Sequence, residues 1–431
     1  MQYVSTRGGE AVALEQAIMS GTAADGGLYI PVKLPLMQAS DFSGCETLPD
    51  IAERLLTPFF AGSTLAGQLG DICRQALDFP VPLREIEAGQ LSVLELFHGP
   101  TAAFKDVGAR FLAASMERVI NEGRFARPPV TIMVATSGDT GGAVASAYHR
   151  RPGMRVIVLF PLGRVSPRQQ HQLTCWGDNV ISLAVRGEFD DCQRLVKEAF
   201  ADQQLAAAHR LCSANSINVG RLLPQAAYYA KASLEHWRHT GQALSFVIPT
   251  GNLGNGFACV WAKRLGLPID RIVLATNANT SIEDYLATGQ WLPRPSLPTL
   301  ASAMDVGNPS NMERLRQLCG DIGTLREEVS AMAVSDAEIR SSLRDEFSRH
   351  GLAWCPHTAT GLHVYRGLPD AERRQRHWAV VATAHAAKFD TIVEPLLGCD
   401  ITPPAELAAL LALPSRFATI DASLADLVSH L

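Results

Sequence analysis

The sequence predicts an α/β protein with parallel sheets and a separate unit at its N-terminus. Three observations carry that expectation. From about residue 130 onward, apolar β-rich runs alternate with helix-length segments. Strands separated by helices imply parallel sheets, right-handed crossovers and helices on both faces. Two glycine-bearing loops fall at strand-to-helix joints, and the first ninety or so residues lack the alternation altogether.

In that first part, "GGLYIPVKLP" reads as an extended segment containing proline, and "LPDIAERLLTPFFAG" and "LAGQLGDICRQAL" read as helices. The alternation then runs through "VTIMVAT", "GGAVASAYHR", "RVIVLFP", "SPRQQHQLTCWG", "NVISLAV" and "DDCQRLVKEAFAD". It continues with "LSFVIPT", "GFACVWAKRLG" and "DRIVLATN". The end, "PPAELAALLALPSRFATIDASLADLVSHL", reads as a pair of short amphipathic helices packed on the outside. The chain shows no internal repeat and no low-complexity linker. Three units are expected: an N-terminal domain over residues 1–92, a smaller α/β domain over 93–225 holding Lys105, and a larger, discontinuous α/β domain over 226–431.

Bulk composition narrows the partner. A chain of 431 residues with 47% hydrophobic residues can bury more than one core. Its net charge of −5 gives no general attraction to nucleic acid or to an acidic membrane. A small metabolite is the expected partner. The start, "MQYVSTRGGEAVALEQAIMS", has no basic segment followed by an apolar one, and no apolar run reaches the roughly 20 residues of a membrane span. A soluble cytoplasmic protein is expected. Nine cysteines, scattered singly with no C-x-x-C pair, suit reduced, mostly buried thiols better than a disulfide frame or a zinc site, and no metal is expected.

Lysine is scarce. Of 38 Lys+Arg residues only six are lysines, so arginine carries nearly all the positive charge. Arginine stays protonated, whereas a desolvated lysine can act as an amine nucleophile. Lys105 sits in "ELFHGPTAAFKDVGARFL", with Phe104 and two alanines on one side and an apolar helix on the other. That setting favours a lysine kept for its amine. Lys388, in "VVATAHAAKFD", is the rival; after a strand end and before Phe389 and Asp390, an exposed or ion-paired lysine is expected there.

Three loops could hold anions. "TSGDTGG" spans Thr136 to Gly142 and "TGNLGNG" spans Thr250 to Gly256, each between a strand and a helix where backbone N–H groups and the helix dipole favour negative charge. Neither matches G-x-x-x-x-G-K-[ST] or G-x-G-x-x-G, so nucleotide binding is disfavoured. Alone, each is equally a tight turn with no ligand. A third loop, "SANSINVGRLLPQ", gathers Asn215, Ser216, Asn218 and Arg221, a donor set suited to a phosphate dianion. Its plainer reading is a polar loop whose asparagines cap the next helix.

A reactive amine, an anion cradle and a hydroxyl that can meet a ring nitrogen are what pyridoxal 5′-phosphate needs. A second phosphate site would then serve a substrate. "HGPTAAFKD", "ATSGDTGGA", "SANSIN" with Arg221, "TGNLGN" and "ATAHAAKF", in this order, resemble the threonine synthase family in its longer bacterial and fungal form. "YVSTRG", "DGGLYIP", "AMDVGNPSN" and "PHTATG" extend the likeness over almost the whole chain.

The resemblance implies a fold-type-II pyridoxal-phosphate enzyme, similar to the tryptophan synthase β chain. It implies conversion of O-phospho-L-homoserine and water to L-threonine and phosphate, by a monomer or homodimer. Lys105 would be the Schiff-base lysine, flanked by Phe104. Gly251, Asn252, Leu253, Gly254 and Asn255 would bind the cofactor phosphate, Thr383 would face the pyridine nitrogen, and Asp139 would lie near the cofactor's 3′-oxygen or the substrate carboxylate. Ser137, Thr140, Asn215, Ser216 and Arg221 would hold the substrate's carboxylate and phosphate.

Four positions depart from the family pattern. Leu253 stands where an aromatic is usual, Asn255 where an acid is frequent, Ala386 where proline is common and Cys355 where an acid is common. A cradle made of main-chain N–H groups tolerates the first two. Two other readings share the fold: a phospholyase or dehydratase that yields a 2-oxo acid, and a silent binding protein. A dehydratase has no need of a second phosphate site, and a silent protein has no need of Lys105.

Overall fold

Fourteen strands form three sheets in the computed structural model, which describes residues 1–121 and 129–431. Strands β1 (Tyr3–Ser5), β2 (Gly8–Val12) and β3 (Tyr29–Pro31) make a small antiparallel sheet ordered β2-β1-β3. Helices Leu48–Phe60 and Leu69–Ala76 complete the N-terminal unit. The first of these is started by Thr47, whose side chain accepts from Asp50 N while the Asp50 carboxylate reaches back to Thr47 N.

The remaining strands are β4 (Leu83–Glu87), β5 (Leu91–Glu95), β6 (Val130–Ala135), β7 (Met154–Pro161), β8 (Val180–Arg186) and β9 (Leu211–Ser213). They continue with β10 (Leu244–Pro249), β11 (Ile269–Thr276), β12 (Ser330–Ala333), β13 (His377–Ala382) and β14 (Ala418–Asp421). A six-stranded sheet runs β12-β11-β10-β13-β5-β4, parallel except for β4, which pairs antiparallel with β5. A five-stranded sheet, β14-β8-β7-β6-β9, is parallel throughout.

The central strands β5, β6, β10 and β13 are buried along nearly their whole length because helices cover both faces. One core joins the N-terminal helices to one face of each sheet, through residues such as Phe59, Phe111, Ile248 and Ile132. Separate cores fill the opposite faces, around Trp378 and Tyr365 in the larger sheet and around Leu195 and Ile420 in the smaller. Among the described residues, no helix is long and apolar enough to cross a membrane.

The sheets divide the chain differently from the expected boundaries. An edge at residue 92 falls inside β5, and both β4 and β5 belong to the larger sheet. The C-terminal segment does hold helices Ala405–Leu411 and Leu424–Val428, but between them "ATID" is strand β14, paired with β8 in the smaller sheet. Only Ile420 of that strand is buried, so its pattern carried no strand signal. The unit expected over 226–431 therefore returns its last strand to the other sheet.

One buried acid sets a stability expectation. Strand β11 ends at Thr276, whose hydroxyl donates to Glu283 in helix Ser281–Thr288, while Glu283 Oε2 is buried with no partner. Burial pushes its carboxyl up to about 7. A carboxyl whose pKa is raised on folding adds stability below its unfolded pKa and loses it as pH rises through the folded value. Glu283→Gln should leave the melting temperature near pH 4 almost unchanged and raise it by about 2–4 °C at pH 8. Thermal denaturation at the two pH values checks this.

Candidate active site

Lys105 is fixed by the chain that precedes it. Ala102, at a φ of 54°, turns the segment so that its N–H meets Gly99 O, and Ala103 bridges antiparallel to Ala384. Phe104 N donates to Thr383 O at 2.8 Å and His385 N donates to Ala102 O at 3.0 Å. This stitching seats Lys105, the first residue of helix Lys105–Asn121, beside the continuation of β13 that carries Thr383. The Lys105 amine has no hydrogen-bond or ion-pair partner among the described residues, and its Nζ lies 5.9 Å from the centroid of the Phe104 ring. Burial lowers its pKa to about 8, opposed by Asp139 and reinforced by Arg221 and Lys388.

Asp139 opens helix Asp139–Tyr148 after β6 and is buried. Its Oδ1 accepts from Gln169 Nε2 at 2.9 Å and pairs with Lys388 Nζ at 2.9 Å. Burial alone would raise this carboxyl; Lys388 first, then Lys105, Gln169 and His357, hold it well below the usual carboxylate range. Lys388 is ion-paired, as one of its expected states, but it is wholly buried rather than exposed, because the turn Ala386–Phe389 folds inward after β13. It is not free to act as the reactive amine. In the same loop, Thr136 Oγ1 accepts from Gly138 N and Gly141 N, which rigidifies the turn, while the Ser137 and Thr140 hydroxyls have no protein partner among the described residues.

The "GNLGN" loop is an anion cradle by construction. Leu253 takes a left-handed φ of 63° immediately before helix Gly254–Arg264. The backbone N–H groups of Asn252 to Gly256 have no acceptor among the described residues. Asn255 Oδ1 accepts from the hydroxyls of both Tyr228 and Tyr229, which leaves its Nδ2 buried and unpartnered. Asn252 bridges to the third loop by donating to Ser216 Oγ at 2.6 Å, and Asn311 Nδ2 donates to Asn252 O at 3.0 Å.

Arg221, in helix Val219–Leu222, is 2% exposed. One nitrogen donates to Ala214 O at 2.6 Å, and among the described residues Nε has no partner and no carboxylate pairs with the guanidinium. Burial lowers its pKa to about 10. Asn218 does what the plainer reading of the loop expected: it caps the helix through Gly220 N and donates to Ile18 O.

These segments enclose one cavity of about 930 Å³. Phe104, Lys105, Ser137, Asp139, Thr140, Asn215, Ser216, Arg221, Gly251 to Asn255 and Thr383 all line it. Asn218 does not. Sequence reasoning missed His357, which also lines the cavity from helix Pro356–Gly367, with Nε2 accepting from Ala303 N and Nδ1 unpartnered. It also missed Gln169, Asn311 and the buried state of Lys388. The segments "AMDVGNPSN" and "PHTATG" were the available signal for Asn311 and His357, though neither residue was singled out.

Family models match the whole architecture. Residues 2–77 match the threonine synthase N terminus, 80–384 the pyridoxal-phosphate dependent enzymes and 358–431 the threonine synthase C-terminal region. A threonine synthase of Serratia marcescens is 38% identical over 97% of this chain and 96% of its own. The chain belongs to the threonine synthase family.

Solved threonine synthases share the fold. The pyridoxal-phosphate-bound enzyme from Brucella melitensis superposes with a TM-score of 0.92 at 35% identity, covering 100% of this chain and 98% of that one. The threonine synthase of Escherichia coli superposes with a TM-score of 0.91 at 35% identity, covering 100% of both. The fold is therefore that of the fold-type-II pyridoxal-phosphate enzymes, and pyridoxal phosphate is the cofactor of this threonine synthase, a lyase.

The residues present fit that cofactor: a row of unpaired N–H groups for a phosphate, an unpaired amine of lowered basicity for an aldehyde, and a hydroxyl without a protein partner at Thr383. The cradle also allows a prediction. A Cβ on Gly251 would lie 2.7 Å from Met304 Cα, a backbone clash that no side-chain rotation relieves. Gly251→Ala should weaken cofactor affinity at least about tenfold, since one displaced charge-assisted hydrogen bond is worth about 1.5–3 kcal/mol. Fluorescence titration of the apoenzyme with pyridoxal phosphate measures it.

Proposed function

We propose that this cavity takes O-phospho-L-homoserine and water and releases L-threonine and phosphate, in the cytoplasm. The observation that carries the substrate assignment is Arg221: a buried guanidinium that, among the described residues, has no carboxylate partner and an unused N–H, on the cavity wall apart from the helix-start cradle. A buried cation left unpaired is costly, and a dianionic phosphate would compensate it. One anion site suffices for the cofactor, so a second supports a phosphorylated substrate. The nine cysteines are all free, which supports a reducing compartment.

In this reading the cradle from Gly251 to Asn255 holds the cofactor phosphate, Phe104 and Lys105 border its reactive carbon, and Thr383 presents an uncharged hydroxyl to its ring nitrogen. When bound, pyridoxal phosphate supplies the electron sink that acidifies protons on an attached amino acid. Lys105 would hold the cofactor covalently at rest and would supply a free amine when the substrate is bound. With a pKa near 8, that amine would take the Cα proton, hand it on to the conjugated system and, neutral again, take a proton from Cβ. As the Cβ proton leaves, the Cγ–O bond breaks and phosphate departs with the bonding pair toward Arg221, Asn215 and Ser216. Cγ then takes the Cβ proton back from Lys105, the water oxygen bonds to Cβ as its proton passes by way of Lys105 to the released phosphate, and the first proton returns to Cα. Ser137 and Thr140 orient the carboxylate, and Asp139 keeps negative charge close to the Lys105 amine.

The test is a product assay with O-phospho-L-homoserine, scoring phosphate, threonine and 2-oxobutyrate together. Threonine in step with phosphate is expected. Phosphate with 2-oxobutyrate and no threonine would make the protein a phospholyase instead.

A further inference from the structure

Lys388 is a wholly buried cation behind the cavity wall, and the reaction described above gives it no part. Its Nζ donates to Thr101 O at 2.6 Å and pairs with Asp139 Oδ1 at 2.9 Å. Thr101 in turn holds the Asp106 carboxylate, through its N–H at 2.8 Å and its hydroxyl at 2.7 Å, and Asp106 is the second residue of the helix that Lys105 begins. One ammonium thus ties the approach to Lys105 to the start of helix Asp139–Tyr148.

The hydrogen bonding at Asp139 is one-sided. Lys388 and Gln169 both serve Oδ1, while Oδ2 has no partner among the described residues on a side chain that lines the cavity. The geometry points to Lys388 as a positioning residue for the reaction: from behind the wall it holds the Asp139 carboxylate ionised, with Oδ2 left for the cavity and its charge beside the Lys105 amine. This rests on the reading of Lys105 as the reactive amine.

Five groups set the charge around that amine: Asp139, Lys388, Arg221, His357 and Asp106. Burial lowers the Lys105 amine first; Asp139 raises it, and Arg221 and Lys388 lower it. His357 is held neutral, its pKa lowered to about 4 by burial. Asp106 faces Lys388 and Arg110, with its own carboxyl raised by burial. Lys388 lowers the Lys105 amine and competes with it for Asp139, so without Lys388 the Lys105 nitrogen should hold its proton to higher pH.

The test is a double-variant cycle on the holoenzyme with Lys388→Met and Asp139→Asn, read in two ways. In the first, the visible absorbance of the Lys105-linked cofactor is titrated with pH; Lys388→Met should move its apparent pKa up by about one unit. In the second, Lys388→Met should lower kcat at least about tenfold with KM within threefold, and that loss should shrink to under threefold in the Asp139→Asn background. An unchanged titration, or an equal kcat loss in both backgrounds, would overturn the proposal and leave Lys388 a structural residue. Should Lys388→Met fail to fold, Lys388→Gln keeps a donor for Thr101 O without the charge and decides by the same readings. The absorbance titration needs no substrate, so it stands or falls separately from the substrate assignment. A Lys105→Ala protein that kept the covalent band would instead refute the site reading itself.

Discussion

Lys105→Ala is expected to lower kcat/KM by at least about 10⁴-fold, because on the proposed reading one substitution removes both the covalent anchor and the base that serves Cα and Cβ. The loss should come without unfolding. The amine makes no hydrogen bond or ion pair among the described residues, so its removal breaks no protein contact of that kind, and trimming a desolvated ammonium relieves a burial cost. Apoenzyme melting temperature should stay the same or rise. Cofactor should still bind through the unpaired N–H groups of the Gly251 to Gly256 cradle, without the covalent visible band. Absorbance, equilibrium dialysis and steady-state rates together check the three parts. A variant that retained the covalent band would move the reactive amine elsewhere.

Arg221→Leu carries the second large effect. The guanidinium stands in the wall with no carboxylate, and its burial already costs the folded protein. Replacing it with an apolar side chain should therefore leave apoenzyme stability unchanged or improved, while KM for the phosphorylated substrate rises by about 10²-fold or more, the value of two charge-assisted hydrogen bonds. Arg221→Lys should recover only part of the loss, because an ammonium cannot reproduce the planar fork. An unchanged KM would detach Arg221 from the substrate. Falling stability with an unchanged KM would make it a structural arginine.

The site was more legible in the sequence than the domain plan. Motif loops such as "TGNLGN" declare themselves because a tight turn, a left-handed residue and a helix start must fall within a few positions, and Lys105 stood out because lysine is rare in this chain. Strand β14 was hidden because one buried residue in four leaves no alternation to read. Strands β4 and β5 were hidden because "LREIE" is polar and its partner lies next to it, while the sheet they join is completed by β13, far along the chain.

Supporting residues were hidden for a related reason. Gln169 lies in "PRQQHQLT", a segment that reads as a solvated helix face, yet its amide reaches Asp139 thirty positions earlier. Lys388 finds Thr101 across 287 positions, and no local pattern distinguishes that lysine from an exposed one. His357 is the second residue of a helix whose cap is Cys355, a residue type that rarely announces a helix start. Local spacing thus marks the groups that line the cavity, whereas the groups that hold them depend on contacts made only by the folded chain.

The central claim is that phosphate leaves by carbon–oxygen cleavage and that water adds to carbon. The most direct measurement is turnover of O-phospho-L-homoserine in ¹⁸O-water, with mass spectrometry of both products. Label is expected in the threonine hydroxyl, and none in the phosphate formed at early turnover. Label in the phosphate, with none in an organic product, would mean hydrolysis at phosphorus and would contradict that claim.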